Sequence, residues 1–103
     1  MKYVLYEVRN FSTNTIRVLE IRKWAEKFLW VVFSEKGLAE FRRTIQNMVI
    51  NTNANNPDKP PIGFEYMSCG KNDTIRISEG HGREFVIILH LLKGEYVVEK
   101  KNK

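Results

Sequence analysis

The sequence predicts a single α+β domain, with a mostly antiparallel sheet of about six strands and one main helix over residues 35–52. Short runs of β-branched and aromatic residues are separated by turns that contain Gly or Asn, a pattern typical of hairpins. One stretch spaces its apolar residues at helical intervals instead. The length of 103 residues and the hydrophobic content of 43% suit one packed core. Because strands precede and follow the helix through short connections, antiparallel pairing is favoured.

Two strands are predicted before the central part of the chain, over residues 3–8 and 15–22, with turn-forming asparagines between them. The second is rich in β-branched residues, among them Ile16 and Val18, and these lower helix propensity. Its alternation of apolar and polar residues is imperfect, so a helix over residues 16–28 is the competing interpretation. We favour the strand on propensity.

The central unit is a predicted strand over residues 28–33 followed by the main helix. Ser34 stands where its hydroxyl can cap the first turn, and Glu35 suits the positive end of the helix dipole. The apolar residues that follow lie on one stripe of a helix: Leu38, Phe41, Ile45, Met48 and Val49. Asparagines and a proline after residue 52 end the pattern.

The rest of the chain reads as strands. After an irregular loop over residues 53–63, strands are predicted over residues 64–68, 74–78 and 85–92, with a last strand or frayed end over 96–99. Residues 1–99 are assigned to the domain and residues 100–103 to a flexible basic tail.

More apolar strand surface is predicted than one helix can cover. The strands over residues 28–33 and 85–92 are apolar on both faces, whereas one amphipathic helix covers only one face of a sheet. Either the sheet curls into a half barrel, or its second face meets a different protein or a copy of the same chain. Large exposed apolar patches mark interaction surfaces on soluble proteins. This excess favours a protein-binding function.

The charge and the cysteine content limit the classes of protein to which this chain can belong. The net charge is +5, but three of the charges are the lysines of the tail, so residues 1–99 carry only +2. No apolar run approaches the roughly 20 residues of a membrane span, and the N-terminus has no secretory hydrophobic region. A single cysteine forms no internal disulfide. We therefore expect a cytoplasmic protein with no membrane partner.

No catalytic, metal or cofactor site is predicted. His81 lies between two glycines, where we expect an exposed turn histidine with no catalytic role, and His90 lies in an apolar run, where a structural role is the ordinary one. Nothing in the spacing brings Cys69 and Asp73 to a histidine as a thiol nucleophile would require. The carboxylates are not clustered, and no phosphate-binding or dinucleotide motif occurs. We expect a protein that is not an enzyme.

A basic cluster around a tryptophan supports an alternative function. The cluster consists of Arg22, Lys23, Trp24, Lys27, Arg42 and Arg43. If these side chains converge in the fold, they would form a site for single-stranded nucleic acid, with an aromatic ring on which a base could stack. The near-neutral body of the chain instead favours a solvated face around a core tryptophan. Nucleic-acid binding is therefore the second hypothesis.

The strand, cap and helix over residues 28–49, with the run Trp-Val-Val-Phe-Ser-Glu-Lys-Gly-Leu-Ala-Glu-Phe-Arg, resemble small bacterial immunity proteins of polymorphic toxin systems. The resemblance covers about a fifth of the chain and assigns no functional residue. It implies a non-enzymatic domain that neutralises a partner toxin. The first hypothesis is thus a non-catalytic protein-binding module, either an immunity-type inhibitor or a homodimer.

Overall fold

The computed structural model describes residues 1–11, 14–80 and 82–92. The elements follow the chain as β1 (Lys2–Asn10), α1 (Ile16–Glu26), β2 (Val32–Ser34), α2 (Glu35–Asn55), β3 (Gly63–Cys69), β4 (Asn72–Ser78) and β5 (Glu84–Leu92). All strand pairs are antiparallel, and the sheet order is β2-β1-β5-β4-β3. The predicted α+β class is confirmed, with five strands and two helices in this part of the chain. The predicted strand over residues 96–99 and the tail over 100–103 lie outside the described residues.

The predicted strand over residues 15–22 is wrong, because this segment forms α1. Its buried residues are spaced by three and four: Val18, Ile21 and Ala25. That spacing lets a helix bury all three at once, which outweighs the modest helix propensity of β-branched residues.

The N-terminus of α1 is held by a residue far away in the sequence. Thr15 at the N-cap makes no side-chain cap bond within the helix. Instead, the Glu79 carboxylate accepts hydrogen bonds from the Thr15 backbone N–H, at 3.0 Å, and from its hydroxyl. The Glu79 side chain is only 4% exposed and lies 3.8 Å from Arg17. A carboxylate at this end also interacts favourably with the helix dipole.

The predicted strand over residues 28–33 is mostly wrong, since only Val32–Ser34 is a strand. The backbone N–H groups of Phe28 and Leu29 donate to carbonyls of the last turn of α1, so the chain continues in turns. The Phe28 ring then packs against Phe41 at a centroid distance of 5.2 Å. Burial of this ring against the helices explains why the segment does not extend into a strand.

The main helix begins as predicted. The Ser34 hydroxyl accepts a hydrogen bond from the Gly37 backbone N–H at 3.1 Å, which confirms the cap. The helix ends at Asn55, three residues beyond the predicted end. The Asn53 side chain bonds both backbone groups of Ile62, at 2.7 and 3.0 Å, and so fastens the following loop to the last turn.

Both helices pack on the same face of the sheet. One core cluster contains buried residues of α1, of α2 and of the strands. Trp24 of α1 stacks on Phe41 of α2, with ring centroids 5.6 Å apart. In the part of the chain that the structure describes, neither helix is long and apolar enough to cross a membrane. The helices therefore cover one side of the sheet, and the other side is the candidate functional surface.

Candidate protein-binding face

The central strand shows how the two sides of the sheet differ. In β5, Phe85, Ile87 and Leu89 have no exposed surface and lie in the core. Ile88 and His90 alternate with them, point to the other side and are half-buried. The strand register carries this alternation across the sheet.

We call this second side the open face. Its apolar and aromatic centre consists of Val4, Tyr6, Trp30, Val86, Ile88 and His90, with Val32 and Met67 toward the two edges. Tyr6, Val32 and Met67 are 45%, 40% and 52% exposed.

Three rings form a cluster on the open face. The Tyr6 ring contacts His90 edge-on, with centroids 4.3 Å apart. It also contacts Trp30 edge-on, at 5.7 Å. Val4, which pairs with His90 across the sheet, is only 5% exposed although it lies outside the helix-side core. The aromatic cluster thus forms a small packed centre of its own, with one side still exposed.

Two backbone irregularities hold this cluster in place. The register between β1 and β5 shifts between Leu5 and Glu7, so Tyr6 is the extra residue of a β-bulge. Bulges of this kind re-aim side chains and are common beside functional sites. Trp30 has φ of 70°, the one positive value outside glycine among the described residues. That conformation costs about 1–3 kcal/mol and clusters at functional sites.

Hydrogen bonds to β1 fix the strained tryptophan. The Trp30 backbone N–H donates to the Leu5 carbonyl at 2.7 Å, and the Leu5 N–H donates to the Val31 carbonyl at 3.1 Å. The chain thus sets a large aromatic ring on an exposed surface at a backbone cost, where a glycine would fit without strain.

Five of the six charged side chains on the open-face strands are paired within the face, and Lys2 has no such partner among the described residues. Arg9 makes two hydrogen bonds to Glu7, at 2.9 and 3.1 Å, and these lower the pKa of Glu7. Arg76 bonds Glu84 at 2.9 Å and lies 3.9 Å from Glu65. The hydrogen bond to Glu84 raises the pKa of Arg76, so the guanidinium stays protonated. The face therefore presents an apolar centre between neutralised charges.

Half of the predicted nucleic-acid residues are engaged in contacts within the protein: Arg22, Trp24 and Arg42. The Trp24 ring packs between Phe28 and Phe41 of the helix-side layer. Arg22 donates to the Asn14 side chain at 2.7 Å, while Arg42 lies over the Tyr66 ring. The remaining three residues are exposed: Lys23, Lys27 and Arg43.

The other candidate residues divide between the two sides of the sheet. His90 lies on the open face, and Asp73 is buried on the helix side, only 3% exposed. His81 and the Cys69 side chain lie outside what the structure describes. Within the described residues, no group of three or more His, Cys, Asp or Glu could hold a metal ion.

Sequence reasoning missed the grouping of Tyr6, Trp30 and His90. A bulge and a positive φ are set by pairing between distant strands, and no local pattern reports them. No protein-family model matches the chain, and neither the curated proteins nor the solved structures contain a significant match.

Proposed function

We propose that this chain is a non-catalytic protein-binding module and that its open face docks a second copy of the same chain. The observation that carries the proposal is the half-exposed aromatic cluster, which a β-bulge at Tyr6 and a strained backbone at Trp30 hold on the surface. Tyr and Trp are the residues most enriched at the energetic centres of protein interfaces. A strained conformation that serves no purpose in the core is consistent with such a role.

The charge of the open face favours a protein over a nucleic acid. Its strand residues include three basic and three acidic side chains: Lys2, Arg9, Arg76, Glu7, Glu65 and Glu84. Nucleic-acid binding depends on unpaired cations that neutralise phosphates. The hydrogen-bonded pairs on this face leave little net positive charge for that purpose.

The equal numbers of acidic and basic side chains on the open face also favour self-association. Two copies of a face with no net formal charge do not repel each other, whereas a strongly charged partner would find no complementary potential. The four longer strands span about 19 Å by about 26 Å, or about 500 Å² of flat area per copy. Two copies would bury about 1,000 Å², which is the lower limit for a specific interface.

The shape of the face suggests how two copies meet. A two-fold axis parallel to β5 would place β1 of one copy over β4 of the other, because β1 and β4 flank β5. The bulky rings of Tyr6 and Trp30 would then oppose the half of the face that carries Thr74. The half of the face with bulky side chains would thus pack against the half with smaller side chains, and the two surfaces would be complementary in shape.

The test compares two isoleucine-to-aspartate variants by sedimentation velocity across a range of concentrations. Ile88→Asp puts a charge at the centre of the open face, while Ile50→Asp puts the same charge on α2, where Ile50 is 55% exposed. We expect a dimer for the wild type and for Ile50→Asp, and a folded monomer for Ile88→Asp. Circular dichroism checks that each variant is folded.

Two outcomes would overturn the proposal. A wild-type protein that stays monomeric excludes the second copy and leaves a different occupant, such as the toxin that the resemblance to immunity proteins implies. A dimer that survives Ile88→Asp excludes the open face. The packing is tested separately in a Cys69→Ser background, in which Tyr6→Cys and Thr74→Cys chains should form a mixed disulfide.

A further inference from the structure

A cavity of about 330 Å³ lies on the helix side, between the first half of α2 and the sheet. Five polar side chains line it: Tyr3, Glu35, Arg42, Tyr66 and Asp73. Its volume is at the lower end of the range for small-molecule sites. It is separate from the open face, because Asp73 is buried on the opposite side of the sheet.

A carboxylate without a cation lies in this cavity. Asp73 accepts hydrogen bonds from the Tyr66 hydroxyl and from the Ser68 hydroxyl, the latter at 2.9 Å. Among the described residues it forms no ion pair, although it is only 3% exposed. Burial of a carboxylate is costly unless a positive charge lies close to it. The carboxylate oxygens retain lone pairs for another donor.

A guanidinium without an anion lines the same cavity. The Arg42 guanidinium carbon is 4.1 Å from the centroid of the Tyr66 ring. Arg42 forms no ion pair within the described part of the chain. Stacking on an aromatic ring orients the guanidinium, and its remaining N–H groups can donate to a carboxylate.

Both phenol groups of the cavity are held in the protonated form. Burial and the hydrogen bond to Asp73 raise the pKa of Tyr66 by more than the Arg42 guanidinium lowers it. Burial and the charges of Asp73 and Glu35 raise the pKa of Tyr3. The Tyr3 hydroxyl has no hydrogen-bond partner within the described residues, so it can still bond a ligand.

We propose that this cavity binds a small zwitterion of the α-amino acid class, with its ammonium group on Asp73 and its carboxylate on Arg42. The Asp73 carboxylate would repel a simple anion, and the Arg42 guanidinium would repel a simple amine. A ligand with both charges a few bonds apart satisfies the two groups together. Glu35 is left out of this assignment because its carboxylate already lies 3.8 Å from the Met1 amino group.

The first experiment titrates the full chain with each common α-amino acid at millimolar concentration and follows backbone amide shifts by NMR. We expect at least one amino acid to shift the amides around Asp73 and Arg42. Its decarboxylated amine and its deaminated acid should each bind at least roughly tenfold more weakly, since each lacks one charge-assisted contact. Absence of shifts with every amino acid overturns the proposal, and so does equal binding of either analogue.

The second experiment repeats the titration with four variants. Asp73→Asn and Arg42→Gln should each weaken binding by roughly tenfold or more. Arg43→Gln, which changes an exposed neighbour, should leave it unchanged. Unchanged binding in Arg42→Gln would overturn the assignment of the ligand carboxylate to Arg42. If Asp73→Asn does not fold, Arg42→Gln and the two ligand analogues still test the proposal. Ile88→Asp should retain binding, because the cavity does not depend on the open face.

Discussion

Ile87 and Ile88 are identical neighbours in β5, yet Ile87 has no exposed surface and Ile88 is half-buried on the open face. The two side chains differ only in the side of the sheet toward which they point. On the helix side, aliphatic and aromatic residues fill a core, whereas on the open face similar residues form a shallow aromatic surface between paired charges. Apolar composition therefore does not distinguish the side of the sheet that is buried in the core from the side that is left partly exposed, and the position of the helices does.

The largest expected effect tests this comparison directly. Ile87→Ala should lower the free energy of unfolding by about 3 kcal/mol, because it leaves a cavity in the core. Ile88→Ala should lower it by about 1 kcal/mol in the monomer, since the site is partly open to water. Urea denaturation at low protein concentration measures both. Equal losses would mean that the open face is packed as tightly as the core.

A pair of tyrosine variants gives the next effect. Tyr66→Phe removes a hydrogen-bond donor from the buried Asp73 carboxylate and should cost about 2 kcal/mol of stability. Tyr6→Phe on the open face is the matched control, because the Tyr6 hydroxyl has no hydrogen bond in the described part of the chain. Its stability should stay within about 0.5 kcal/mol of the wild type. A large loss in Tyr6→Phe would contradict the distinction between the two sides.

The stability of α1, which covers one side of the sheet together with α2, also depends on Glu79. Glu79→Gln keeps the side-chain size but removes the charge that caps α1 and lies near Arg17. We expect the free energy of unfolding to fall by about 1 kcal/mol, since neutral hydrogen bonds are weaker than charged ones. Thermal unfolding measures it. Glu65→Gln on the open face is the control, because Glu65 is exposed, and a greater loss there would contradict the assignment of Glu79 as a cap.

The smallest effect is a dependence on alkaline pH. The pKa of Tyr66 is raised above its usual 10.0 by burial and by Asp73. Between the unfolded and folded pKa values the folded state binds more protons, so stability falls as pH rises above about 10. The decline between pH 9 and pH 11 should be less steep in Tyr66→Phe than in the wild type. Parallel declines in chemical denaturation would show that Tyr66 does not contribute.

The main helix and most strands were predictable because their signals are local. Ser34 and the apolar stripe define α2 within one segment, and the run over residues 85–92 predicted a strand that is apolar on both faces. Helix α1 was not predictable in the same way. Its β-branched residues favour a strand, and what overrides them is burial against α2 and a cap 64 residues away.

The candidate site was predictable only in outline. Of the two runs that indicated an excess of apolar strand surface, only residues 85–92 form a strand over their full length, and this strand indicated that one side of the sheet would need cover. Which residues form its centre depends on the bulge at Tyr6 and on the pairing of Trp30 with Leu5, neither of which has a sequence signature. The cavity around Asp73 likewise arises only when β3, β4 and α2 meet.

The contact between Thr15 and Glu79 also has a consequence for the order of folding. Glu79 follows β4 directly and its backbone N–H donates to the Arg83 carbonyl, so its position depends on the turn between β4 and β5. An isolated helix of 11 residues is marginal in water, so α1 should become stable only after that hairpin has formed. The first helix in the sequence is thus expected to be among the last elements to be protected from hydrogen exchange during refolding.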